Sequence, residues 1–467
     1  MNSNKKIGLF VLIMFIVGSI DSLRNMPSNA MFGAPLIFFF IAAALTFLLP
    51  IALISAELTS YHPEKNGVYQ WIKEAFGERV AFFGIWLQWI NTATWYPSIL
   101  SFIAGGLAYL FAPSLASSKI FAVIVILTVF WSLTLLSLKN FSLSAGFATF
   151  CTIVGLMLPF CVMITLALVW QAKGNASQIH ISWGNIIPRF SKIDNWISLT
   201  TIITAFLGME LATVNVQNIH NAKRNYPIGV ITASFIIVLT MILGSLAIAL
   251  VIPQKQIGLT TGIFQTFAYY LDAFHLKWLV FIMSGLVVLA SIGEMINWII
   301  SPARGLQQAA QTGTLPNYLA KNNGHGMPGH ILVIQAILVS LACLAFTLFK
   351  SVNDIYWLLT DLSTELYVMM YVLMFLSALV LHYKNKHIDK PFNIPGGDAM
   401  KWILCLLGLF SCSITLIIGF IPPSTLNFGG RWHYAAVFAG GIILLCLPGL
   451  LLSIFSKRKW GRAPALK

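Results

Sequence analysis

Apolar runs long enough to cross a bilayer recur from one end of this chain to the other, and they leave little room for anything else. A membrane-crossing helix needs about 20 consecutive apolar residues. By that measure there are about twelve helices, near 7–32, 34–58, 80–111, 119–138, 143–170, 196–220, 227–252, 277–303, 330–349, 354–381, 400–420 and 434–456. Of 467 residues 58% are hydrophobic and 9% charged, against roughly 25% charged in soluble domains. The expectation is a single all-α integral membrane domain over 1–467. The net charge of +14 does not indicate a nucleic-acid partner, because the basic residues sit in short loops and tails, where they orient the chain. They favour cytoplasmic N- and C-termini: Lys5, Lys6, Lys65, Lys73, Arg79, Lys139, Lys223, Arg224, Arg304, Lys321, Lys384, Lys386, Lys390, Lys401 and the tail Lys457 to Lys467 outnumber Lys119, Lys173, Arg189, Lys192, Lys255, Lys277, Lys350 and Arg431. No small-x-small cleavage pattern follows Lys5 and Lys6, so a cleaved leader is not expected.

Two runs are interrupted. Ile197 to Pro227 begins as an apolar helix and then meets Gly208-Met209-Glu210 at mid-span. Hydrocarbon cannot satisfy a broken backbone or a charge, so such an interruption belongs beside a protein-lined cavity. The helix is expected to resume and end in a basic turn, Asn218 to Asn225, closed by Pro227. The first run is broken as well, with Gly18, Ser19, Asp21 and Arg24 ahead of Pro27. Broken helices one and six, five helices apart, predict two inverted repeats, about 7–170 and 196–381, followed by extra helices at about 400–456. Two loops read as amphipathic helices. Asn66 to Phe76 groups Val68, Trp71, Ile72 and Ala75 on one face, as a helix in the membrane interface would. Thr261 to Phe274 groups Ile263, Phe264, Phe267 and Leu271 over the opposite vestibule.

The chain has only 14 acidic residues, so those inside spans are informative: Asp21, Glu210, Glu294, Asp361 and Glu365. Glu294 and Trp298 share a face of helix eight, and Asp361 and Glu365 share one of helix ten, near Tyr367 and Tyr371. Helix three adds Gln88, Asn91, Trp95 and Tyr96. This pattern suits a zwitterion. Free amides at a helix break attract a carboxylate, with Gly18 and Ser19 the candidates, while the carbonyls near Phe206 face an amine. Glu210, Glu294, Asp361 and Glu365 are candidate proton-coupling or gating groups, because desolvation sets charge against neutrality. Asp21 is expected to favour a cationic ligand and reject an anionic one. The competing reading has Arg24 neutralise it across one turn. The six cysteines, Cys151, Cys161, Cys343, Cys405, Cys412 and Cys446, read as small core residues. His325 and His330 read as solvated. No phosphate loop, metal spacing or nucleophile pattern appears, so no enzyme, metal or cofactor is expected.

At this point the chain resembles the amino acid–polyamine–organocation (APC) superfamily of transporters. The resemblance rests on Ser55-Ala56-Glu57-Leu58 leading to Asn66-Gly67-Val68-Tyr69 and Phe76-Gly77, on Gly208-Met209-Glu210 followed by Asn221 to Pro227, and on Arg304 through Gly313-Thr314-Leu315-Pro316. Within it the chain looks most like the bacterial glutamate/GABA antiporters, on Val251-Ile252-Pro253, Gln265-Thr266-Phe267, Phe392 to Gly397 and Phe420 to Pro423. The resemblance implies a LeuT-type core of about ten helices plus two, and alternating-access exchange of amino acids across a bacterial inner membrane. It implies a gating glutamate at Glu210, a substrate-facing tryptophan at Trp298, and a substrate loop at Gly18, Ser19 and Ile20. Asp21 and Arg24 stand where those antiporters look uncharged. Thr204 stands where related arginine/agmatine exchangers have an aromatic gate. About ten residues follow the last apolar run, so a C-terminal plug that closes the carrier is not expected. The substrate-binding candidates are therefore Gly18, Ser19, Ile20, Asp21, Thr204, Phe206, Gly208 and Trp298. A proton-coupled importer of a cationic amino acid or polyamine is the alternative, and a non-transporting amino acid sensor a remoter one. The expected partners are small amino acids, protons and the lipid bilayer; a homodimer is compatible with this reading.

Overall fold

The computed structural model describes residues 8–61, 67–139, 150, 152–189, 191, 193–210, 219–349, 351–384 and 392–455. The basic residues Lys5, Lys6, Lys65, Lys192, Lys350, Lys386, Lys390 and the tail, Cys151, Asn66 and the resumed half of helix six before Ile219 lie outside them.

The first crossing is α1 (Leu9–Ile20) and α2 (Met26–Ala30). Between them the backbone is extended at Asp21 and Ser22, and a 3-10 turn follows at Leu23–Asn25. Pro27 falls in the first turn of α2, where its missing N–H costs no bond. The break is therefore at Asp21–Ser22. Gly18, Ser19 and Ile20 are still helical, and the Ser19 hydroxyl bonds back to the Phe15 carbonyl at 2.7 Å. The second crossing is α3 (Leu36–Ala43) and α4 (Leu49–Tyr61), and α5 (Val68–Phe76) follows. The short α5 buries Val68, Tyr69, Trp71 and Ile72 against the protein. It is amphipathic as expected, but its apolar face meets helices, with only Phe76 well exposed.

The third crossing divides at Asn91 into α6 (Glu78–Ile90) and α7 (Thr92–Phe111). Next come α8 (Lys119–Leu138), α9 (Leu158–Ala172) and α10 (Ile193–Ala205). After α10 the chain turns through Phe206–Gly208 into a short 3-10 segment at Met209–Glu210. Gly208 has φ +103°, a region that side-chain-bearing residues avoid, which is why glycine marks this break. Then come α11 (Ala222–Val251), α12 (Gly262–Ala273), α13 (Trp278–Gln311), α14 (Gly329–Ala342), α15 (Val352–Lys384), α16 (Gly397–Ile418) and α17 (Arg431–Phe455). Pro227 lies inside α11, so the basic turn starts that helix; Pro227 does not close the preceding one. The face of Ile263, Phe264, Phe267 and Leu271 on α12 is buried.

Among the described residues, nine spans are long and apolar enough to cross a membrane. The remaining crossings are the one divided at Asn91, the one broken at Gly208 and the shorter α14. The outer surface is that of a lipid-embedded protein. Phe10, Ile120, Phe235 and Leu444 are 60–74% exposed, an apolar exterior that a soluble protein could not carry. Cys161 is exposed there too, whereas Cys343, Cys405, Cys412 and Cys446 are buried as expected. His325 and His330 are exposed. Inside, α1 packs on α11, α13 and α15 both pack on α7, and α16 and α17 close over α15. The two breaks meet at the centre, where α10 touches α2 and the 3-10 turn before it.

Candidate functional site

The breaks and the polar faces of α7, α13 and α15 enclose a central cavity. Its lining includes Ser19, Ile20, Ser22, Arg24, Asn91, Trp95, Thr204, Glu294, Trp298 and Tyr367. The space is tight, about 30 Å³, room for roughly one or two waters. A bound amino acid therefore requires the lining helices to move apart.

Arg24 is the dominant charge. It is 3% exposed; one terminal nitrogen donates to the Ser98 hydroxyl at 3.0 Å, and the guanidinium lies 5.2 Å from the Trp95 ring centre. Trp95 in turn packs on Trp298 at 5.0 Å. Arg24 makes no ion pair among the described residues, and its Nε has no hydrogen-bond partner. Its carbonyl accepts from Tyr356 at 3.2 Å. Across the same cavity stands Glu294, one oxygen of which accepts a long bond from Ser22 at 3.4 Å. The cavity thus holds a cation and an anion apart, each able to meet a ligand group of opposite sign.

Asp21 does not line the cavity. Its side chain turns to α11 and accepts from the Thr240 hydroxyl at 2.6 Å. Arg24 does not neutralise it either. The extended residues at Asp21 and Ser22 break the helical spacing that would have brought the two together. In the structure Asp21 therefore neither lines the cavity nor pairs with Arg24, and of these two residues it is Arg24 that reaches the site.

Glu210 sits behind the cavity wall and is 1% exposed. Tyr367 donates to it at 2.6 Å and Gln88 at 3.3 Å. Tyr371 also donates to it, while accepting from the Gly208 amide at 3.0 Å. This cage ties the helix-six break to α15 and α6, a connection suited to a gate. Gly208 and Phe206 belong to the same wall; the Phe206 ring packs on Phe40 at 5.8 Å. Trp298 does line the cavity, and its carbonyl accepts from Tyr96 at 2.8 Å.

A narrower pocket continues from the centre. It shares Thr204 and Asn25 with the cavity and reaches Thr200, Tyr356 and Asp361. Thr204 bonds to Thr364 at 2.7 Å, so this position links α10 to α15 by a hydroxyl pair instead of an aromatic gate. Asp361 accepts from Tyr434 at 2.5 Å. Glu365, one turn on, faces Gly419 after α16 and not the substrate path. Ser22, Asn25 and Ser363 were not singled out from sequence. Short polar residues in a break or on a helix carry no periodic signal, whereas the Asn91 and Trp95 stripe on helix three did.

The chain matches the amino acid permease family over residues 7–444. It is 34% identical over 447 residues to an uncharacterized transporter of Legionella pneumophila, covering 95% of this chain and 96% of that one. It is 29% identical over 462 residues to a glutamate/gamma-aminobutyrate antiporter of Lactococcus lactis, covering 98% and 92%. It is 25% identical over 353 residues to an arginine/ornithine antiporter of Pseudomonas aeruginosa, covering 73% and 70%. A family match of that length, over a helical membrane fold with two broken helices around a charged cavity, means that the chain belongs to the amino acid permease family of membrane transporters in the APC superfamily.

Proposed function

We propose that the protein is a bacterial inner-membrane antiporter for zwitterionic amino acids, with glutamate and GABA in its substrate class. The observation that carries this reading is the separation of Arg24 and Glu294 in one cavity. A ligand carboxylate meets the guanidinium, whose planar fork suits two-point binding of a carboxylate, and a ligand ammonium meets Glu294. The amides at the start of the 3-10 turn after Ser22 supply further partial positive charge, and the carbonyl at Phe206 a further partner for the amine. A diamine such as putrescine would leave Arg24 buried without an anion, which disfavours the cationic alternative. The likeness to the glutamate/gamma-aminobutyrate antiporter over nearly the whole chain supports the same class.

In this reading the termini are cytoplasmic, the two repeats span about 7–170 and 196–381, and the helices at about 400–456 brace them. The Glu210 cage is the gate on the side of the N-terminus, because it joins the helix-six segment beyond the break to α15. Proteoliposomes test the antiport: labelled glutamate should enter vesicles preloaded with glutamate and not empty ones. Equal entry into both would replace exchange with uniport or symport.

A further inference from the structure

We propose that Asp361 and Glu365 form a proton-binding carboxylic acid pair where α15 meets α16 and α17, separate from the Glu210 cage, and that the proton held there travels with substrate. The inference rests on the antiporter reading above and adds a coupling ion to it.

Glu365 is 0% exposed, and among the described residues neither of its carboxylate oxygens has a hydrogen-bond partner. It lies against the backbone at Gly419, where even a methyl group would collide with it. One turn earlier, Asp361 is 5% exposed and, among the described residues, accepts only the Tyr434 phenol, at 2.5 Å. The titratable groups facing the pair are Cys412 from α16 and Tyr434 from α17. α10 presents Thr200, Thr201 and Thr204, and at the junction of α6 and α7 Asn91 accepts from the Ser363 hydroxyl. From the first break, Arg24 meets α15 only through its carbonyl, with its guanidinium directed to Ser98 and Trp95. No described cation is paired with either carboxylate.

An uncompensated buried charge is costly even when alone, and two adjacent carboxylates without a cation cannot both be ionised. A shared proton relieves both problems, and the Tyr434 donor leaves room for it on one side of Asp361 only. Asp361 also supplies the way in, since it lines the narrow pocket that joins the central cavity at Asn25 and Thr204. With one proton kept between the two carboxylates, hydronium reaching that pocket protonates Asp361, giving a neutral pair and water. That second proton returns from Asp361 to water when the pocket opens to the other side, leaving the pair singly protonated. No bond other than O–H forms or breaks.

The test uses full-length protein in proteoliposomes, with exchange and gradient-driven uptake measured in parallel. Wild type should exchange external labelled glutamate for internal GABA, with GABA carrying no proton back, and an imposed inward proton gradient should raise the glutamate accumulated. Glu365→Gln should still exchange, with its accumulation no longer raised by the gradient. Should that variant fail to fold, Asp361→Asn is expected to lose the gradient response in the same way. Undiminished accumulation in the variant would overturn the proposal. So would exchange in wild type with no response to the proton gradient, or accumulation driven by a sodium gradient in its place. Absence of exchange in wild type would instead remove the antiporter reading, and this proposal with it.

Discussion

Arg24, just past the first helix break, and Glu294, on α13, line one cavity without pairing with each other. Each is held by a neutral hydroxyl, Ser98 for the arginine and Ser22 for the glutamate. Charges so placed cost folding energy unless a ligand completes them. Arg24→Gln is therefore expected to raise the KM for glutamate about 10- to 100-fold, from charged hydrogen bonds worth roughly 1.5–3 kcal/mol. Arg24→Lys should restore only part of the loss, because a point charge cannot make the two-point contact. Exchange kinetics of the three proteins check this; an unchanged KM in Arg24→Gln would return the arginine to a packing role.

The Glu210 cage makes a second, separable expectation. Glu210→Gln removes the only titratable carboxyl in the cluster of Tyr367, Tyr371 and Gln88. The pH profile of exchange should flatten. Tyr371→Phe keeps the carboxyl but unties it from the Gly208 amide, and should accelerate leak through empty carriers. Profiles that superimpose on wild type in both variants would make the cage structural.

Trp298 packs on Trp95 and borders the cavity. Trp298→Ala is expected to weaken substrate binding by about 0.5–2 kcal/mol, the worth of an aromatic face over a ligand ammonium. Binding titration alongside thermal melting separates the roles: a much lower melting temperature with unchanged affinity would identify core packing.

At the N-terminal side of the bundle, Lys401 on α16 and Glu57 on α4 form a buried ion pair at 2.8 Å. Glu57 also accepts from the Ile394 amide at 3.2 Å, and His382 lies 3.4 Å from Lys401. Lys401→Met removes the cation paired with the Glu57 carboxylate and should cost up to about 3–5 kcal/mol. Adding Glu57→Gln should recover part of that cost. Thermal melts of the single and double variants in detergent measure it.

The crossings were legible because hydrocarbon thickness dictates the length of an apolar run, and the breaks because glycine and charge are costly at that depth. Gly208 and Glu210 show this most clearly. The direction of side chains near a break was not legible. The reading of Asp21 and Arg24 assumed unbroken helical spacing, and two extended residues turned Asp21 to Thr240 and Arg24 to the cavity. Asp361 and Glu365 illustrate a different limit. Periodicity correctly put them one turn apart, but it does not say which neighbour that stretch meets, and here Glu365 meets the end of α16.

The most direct measurement of the central claim is counterflow in proteoliposomes loaded with labelled glutamate, challenged outside with unlabelled glutamate, GABA, arginine or putrescine. Glutamate and GABA should release the label, because each brings a carboxylate to Arg24 and an ammonium to Glu294, and putrescine should not. Release by putrescine with none by glutamate would contradict a cavity that selects zwitterions.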